Sequence, residues 1–127
     1  MAGENIQEKF AKLVHDLCQH RMHHLDTMLL HAILGITSES GEISDLLKKH
    51  MFYDKPWDKL VLKEELSDLL HYIQMCTEAI GSSLEEIMAI NVVKLTTRYP
   101  EGYTKEKALV RDKQAERIAM EIMEKEI

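Results

Sequence analysis

Two pairs of carboxylates fall on faces that helical periodicity reserves for the core, and no other feature constrains the fold of this chain as much. Over residues 25–51, Ile36, Ile43, Leu46 and Leu47 recur at helical steps and mark one apolar face. Glu39 lies on that face, three residues after Ile36 and four before Ile43. Glu42 is about 60° round the helix from Glu39, within reach of the same partner. Gly41 stands between them and is expected to leave room for close approach. Residues 59–80 repeat the arrangement: Leu62, Leu66, Leu69 and Ile73 form a stripe, with Glu65 and Asp68 in or beside it, again three apart. Removing an ionised carboxylate from water costs several kcal/mol unless it is paired or binds a cation. One such pair alone reads most simply as a salt-bridged or solvated helix face. Two pairs on successive helices instead predict a bundle in which the acids face one another. Four carboxylates form a hard, all-oxygen environment suited to Mg²⁺, with Mn²⁺ as a substitute, rather than to Zn²⁺.

The punctuation of the chain supports helices throughout. With 5 Gly and 2 Pro in 127 residues, breakers are few. They divide the chain into helical segments at 4–24, 25–51, 59–80, 83–99 and 104–127. Pro56 interrupts the second and third, Gly81 stands where a C-terminal cap belongs, and Ser83-Leu-Glu-Glu86 reads as a capping box. A single all-α domain of four or five helices spanning residues 1–127 is expected, its core affordable at 45% hydrophobic content. The net charge of −6 argues against nucleic acid as a partner, because such binding needs a basic footprint. The most apolar stretch is broken by Asp26 and His31, so no membrane span is expected. Charge in the opening MAGENIQEKF and only two cysteines, Cys18 and Cys76, predict a cytoplasmic, reduced protein.

Residues 83–99 carry cations that complement the acids. Asn91, Lys94 and Arg98 follow one another at helical steps and share a face. Lys94 and Arg98 could neutralise phosphate oxygens, Arg98 bidentately, although cations near a helix C-terminus also answer the helix dipole. Lys48 or Lys49 could reach a phosphate from the end of the second segment, where solvation is the simpler role.

In order, Glu39-Ser-Gly-Glu42, Glu65-Leu-Ser-Asp68 and Asn91-Val-Val-Lys-Leu-Thr-Thr-Arg98-Tyr-Pro100 resemble the signatures of MazG-like nucleoside triphosphate pyrophosphohydrolases. The likeness covers residues 29–112 and includes the flanking His31-Ala-Ile-Leu-Gly35 and Tyr99-Pro-Glu-Gly102-Tyr103. It implies an all-α NTP pyrophosphatase bundle that hydrolyses a nucleoside triphosphate to the monophosphate and pyrophosphate with Mg²⁺. By the same resemblance Glu39, Glu42, Glu65 and Asp68 are metal ligands, and Asn91, Lys94 and Arg98 are substrate contacts; Lys48 joins the candidate substrate contacts from its position alone. Glu39 or Glu42 is the candidate general base; some relatives carry a further acid where this chain has Ser38. A homodimer or dimer of dimers is implied as well. The rival readings are phosphoribosyl-ATP pyrophosphatase and a catalytically silent nucleotide-binding or regulatory module.

Other features have plainer readings. His20, His23 and His24 lack a further ligand pair for zinc. His31 and His71 read as core histidines, and Met75, Cys76 and Met88 as core filling. Trp57 and Phe52 flank the break at Pro56 and either pack over the helix junction or stack on a base. Ala115, Ile118, Ala119, Ile122 and Met123 form a stripe for a dimer contact or for packing within the chain.

Overall fold

The computed structural model describes residues 27–126. Among them are five helices and no strand: α1 (Thr27–Phe52), α2 (Lys59–Ala79), α3 (Leu84–Arg98), α4 (Lys105–Leu109) and α5 (Lys113–Glu126). The chain is all-α, as its periodicity predicts. The helix expected over residues 4–24, with Cys18, His20, His23 and His24, lies outside the described residues. The chain divides into two compact units, Met1–Tyr72 and Ile73–Ile127.

Each helix ends for a local reason. Beyond α1, Asp54 takes a left-handed conformation with φ 52°, which Asp tolerates better than most side chains. The Tyr53 and Lys55 amides both donate to the Lys49 carbonyl, at 3.1 and 3.2 Å. His50 Nδ1 donates to the Lys55 carbonyl at 2.9 Å, since a carbonyl only accepts. Asp58 then opens α2, its carboxylate accepting from the Leu60 amide at 2.8 Å. A Schellman closure ends α2: the Ser82 amide returns to the Thr77 carbonyl and the Gly81 amide to the Glu78 carbonyl, with Gly81 at φ 70°. Ser83 caps α3 by accepting from the Glu86 amide. The Glu86 carboxylate accepts from the Ser82 hydroxyl.

The tail departs from expectation. Residues 104–127 do not form one helix; the chain leaves α4 through extended Val110, at φ −111° and ψ 102°. Asp112 starts α5 afresh by accepting from the Ala115 amide at 3.0 Å. Both short polar residues that begin these helices, Thr104 and Asp112, compete well for orphan amides and so favour caps over continuation.

In the first unit α1 and α2 form an antiparallel hairpin. Gly35 on α1 meets Tyr72 on α2, and one turn further along Glu39 meets Asp68. The approach at Gly35 is close: a Cβ there would lie 2.2 Å from the Tyr72 ring. Ala32 and Gly35 are buried beside this contact. Gly41 has no such duty, because a Cβ there would meet nothing within 4 Å; the expectation that it makes room for close approach is corrected. Leu47 and Leu66, expected on inward stripes, are 49% and 47% exposed. In the second unit α3 packs against α5, which turns Ala119 and Met123 partly inward and leaves Ile118 and Ile122 exposed. Met88, expected as core filling, is exposed as well.

The two helical glycines should respond oppositely to a methyl group. Gly35→Ala must displace the Tyr72 ring and is expected to cost about 1–3 kcal/mol, as overpacking does. Gly41→Ala should stabilise by roughly 0.5–1 kcal/mol by restricting the unfolded chain. Urea unfolding of the two variants beside the parent protein reads both signs.

Candidate metal centre

The hairpin of α1 and α2 brings together acids that the sequence separates. Glu65 and Asp68 are one turn apart on α2, and Glu39 comes from the facing side of α1. Each offers a carboxylate oxygen, and the three oxygens lie within 4.8 Å of one another. Glu39 and Glu65 are half-buried and Asp68 is exposed. Oxygens this close suit a single hard cation, since Mg²⁺ and Ca²⁺ bind oxygen at roughly 2.0–2.6 Å. The electrostatics agree with the geometry. Burial first, then the charges of Glu42, Glu39, Glu64 and Asp68, push the Glu65 carboxyl above its ordinary range. A cation placed among the acids would reverse that push.

Glu42 is exposed, acts on Glu65 through its charge, and stands outside the three-oxygen group. Ser38, immediately before Glu39, donates its hydroxyl to the Gly35 carbonyl at 3.0 Å. Lys48 pairs with Asp45 at 3.0 Å, three residues back on α1, and Lys49 pairs with the same carboxylate. The hydrogen bonds from Lys49 and Lys48 hold the Asp45 carboxyl below the usual range.

His31 and His71 are not core residues. Both are exposed, and their rings stand edge-on to Tyr72 with centroids 5.7 and 5.3 Å away. Trp57 is 40% exposed, with its ring 5.5 Å from that of His50.

On α3, Asn91 is exposed and Lys94 half-buried. Arg98 makes a bidentate pair with Glu116 of α5, with Nε to Oε1 at 2.7 Å and Nη2 to Oε2 at 3.1 Å. Arg111 grips the same carboxylate, its Nη2 at 2.5 Å from Oε2. Glu116 is 2% exposed. The bonds from Arg98 and Arg111 lower its carboxyl to about 2, while Arg98 is held above its own ordinary value. No motif pointed to Glu116, yet it carries the signal that marked Glu39: a carboxylate three residues before Ala119, on the apolar stripe of its helix.

A family model described as the MazG nucleotide pyrophosphohydrolase domain matches residues 28–103. That span contains all four carboxylates of the two motifs together with Asn91, Lys94 and Arg98. Comparison with curated proteins and with solved structures finds no match.

The clamp on Glu116 has a signature in acid. Its folded pKa, about 2, lies below the ordinary 4.5, so its contribution to stability is complete above pH 4.5 and is lost as pH falls toward 2. Glu116→Gln removes that contribution. Thermal midpoints measured from pH 6 down to 2.5 should therefore converge: the parent starts well above the variant and loses its lead as the acid range is entered.

Proposed function

The chain belongs to the MazG nucleotide pyrophosphohydrolase domain family, and from that premise we propose that it hydrolyses a (deoxy)nucleoside triphosphate to the monophosphate and pyrophosphate in a Mg²⁺-dependent reaction. The observation that carries this reading is the convergence of Glu39, Glu65 and Asp68 within 4.8 Å. Such a set of hard oxygen donors fits Mg²⁺, which uses a few carboxylates and leaves positions for water and substrate phosphates. When bound, the ion supplies charge neutralisation at the phosphates and acidifies a water.

The residues divide the remaining work. Glu39, Glu65 and Asp68 hold the ion. Glu42 is the motif carboxylate outside that group, and we assign it the proton of the attacking water. Asn91, Lys94 and Arg98 are proposed as contacts to phosphate oxygens, where fixed positive charge stabilises the leaving pyrophosphate. Glu116 uses the Nε and Nη2 side of Arg98, so a phosphate contact by Arg98 falls to Nη1. Lys48, engaged with Asp45, is proposed only as an outer phosphate contact. A homodimer or dimer of dimers fits the exposure of Leu34 and Leu70, 61% and 51%. Releasing the two outer phosphates of a noncanonical nucleotide together as pyrophosphate would serve to clean the nucleotide pool in the cytoplasm. No helix among the described residues is long and apolar enough to cross a membrane.

A panel of common and deoxynucleoside triphosphates, incubated with and without Mg²⁺, tests the proposal. Metal-dependent release of pyrophosphate is the expected result; release of single phosphates overturns it. Glu42→Gln should lower kcat by about 10²–10⁴-fold, the usual worth of a general base. Asp68→Asn should raise the Mg²⁺ concentration needed for half-maximal rate.

A further inference from the structure

The turn that joins α1 to α2 encloses a cavity of about 340 Å³ in the same unit as the three carboxylates. Leu46, Pro56, Trp57 and Val61 supply apolar walls, and Lys49, Lys55 and Asp58 bring charges of both signs to it. A volume of this order, apolar walls and a few polar groups are what small-molecule sites share. Its position is set by helix geometry. Leu46 follows Glu39 by seven residues on α1 and Val61 precedes Asp68 by seven on α2, which at 1.5 Å per residue is about 10.5 Å along the hairpin. A sugar bridges a gap of that order between a phosphate and a base.

The wall that Trp57 forms is held in place. Its ring rests against His50, His50 is fixed by the Lys55 carbonyl, and the start of the turn is tied to the Lys49 carbonyl through the Tyr53 and Lys55 amides. With 40% of its surface still exposed, the indole offers a flat apolar face on which a base can stack. Packing over the junction alone would not need the cavity.

We propose that this cavity seats the nucleobase of the substrate and that Trp57 is the side chain it stacks on. The inference rests on the pyrophosphohydrolase reading, since the carboxylates then fix where the phosphates lie. Because Trp57 is the only tryptophan in the chain, its emission reports on this cavity alone. The test titrates the full chain with the monophosphates of the four bases, and with ribose 5-phosphate as a probe that lacks a base. Saturable quenching of Trp57 by at least one nucleoside monophosphate, with none by ribose 5-phosphate, is expected. Trp57→Ala should raise KM for the hydrolysed triphosphate about tenfold and leave kcat within twofold, with Trp57→Phe recovering most of the loss.

If the protein releases pyrophosphate but no monophosphate alters the emission and Trp57→Ala leaves KM unchanged, the base binds elsewhere and the inference is overturned while the proposed activity stands. Emission that follows protein concentration and ignores nucleotide overturns it too, because a second copy then covers the cavity. If no triphosphate is hydrolysed, the activity falls; quenching by a nucleoside monophosphate then still supports the seat, and its absence removes both.

Discussion

Three negative charges within 4.8 Å of one another repel, and everything in the first unit bears on how that repulsion is contained. Side chains on one helix could swing apart. Here Glu39 and the Glu65–Asp68 pair belong to two helices held by the turn, whose Tyr53 and Lys55 amides return to the Lys49 carbonyl, and by the Gly35–Tyr72 contact. The Glu65 carboxyl is raised first by burial and then by the neighbouring acids, so both confinement and repulsion leave their mark on it. Acids brought together from two packed helices suit a cation better than acids on one, because part of the arrangement is set by the backbone.

The second unit meets the same problem of a charge on an inward face with a different answer. Glu116 is gripped by two arginines, one from the preceding long helix and one from the short connection before α5. The two solutions separate roles that look alike in the sequence. Arg98 was expected as a phosphate contact from its step from Lys94 and the motif around it, and half of its guanidinium serves a carboxylate eighteen residues away. A carboxylate left short of cations invites a metal; one saturated by arginines is a structural tie.

How far the sequence carried depended on whether a signal was local. Helix starts and stops at Gly81 and Ser83 were legible because capping is decided within four residues. Glu39, Glu65 and Asp68 were legible because a charge in an apolar stripe is conspicuous at helical spacing. Glu116 bore the same mark but was passed over, its arginine partners being named by no periodicity. The break at Val110 went unseen because residues 104–127 are good helix formers, and propensity outweighed the capping chance offered by Asp112. His31 and His71 were misplaced for a related reason: position on an otherwise apolar helix does not say which neighbour they touch, and Tyr72 holds them both at the surface. Gly35 and Gly41 are alike in sequence, and only the facing ring tells them apart.

That ring gives the hairpin an index mark. Tyr72 fits where Gly35 leaves a notch, and the positions one turn away on α1, His31 and Ala32 on one side and Ser38 and Glu39 on the other, all carry a Cβ that would narrow it. Sliding α2 by a turn, about 5.4 Å, would therefore cost a steric clash as well as a mismatch of apolar rows. It would also carry Asp68 out of reach of Glu39. A residue with no charge and no chemistry thus bears on the spacing of the acids, and variation at position 35 would be felt first as altered alignment of the carboxylate cluster one turn away.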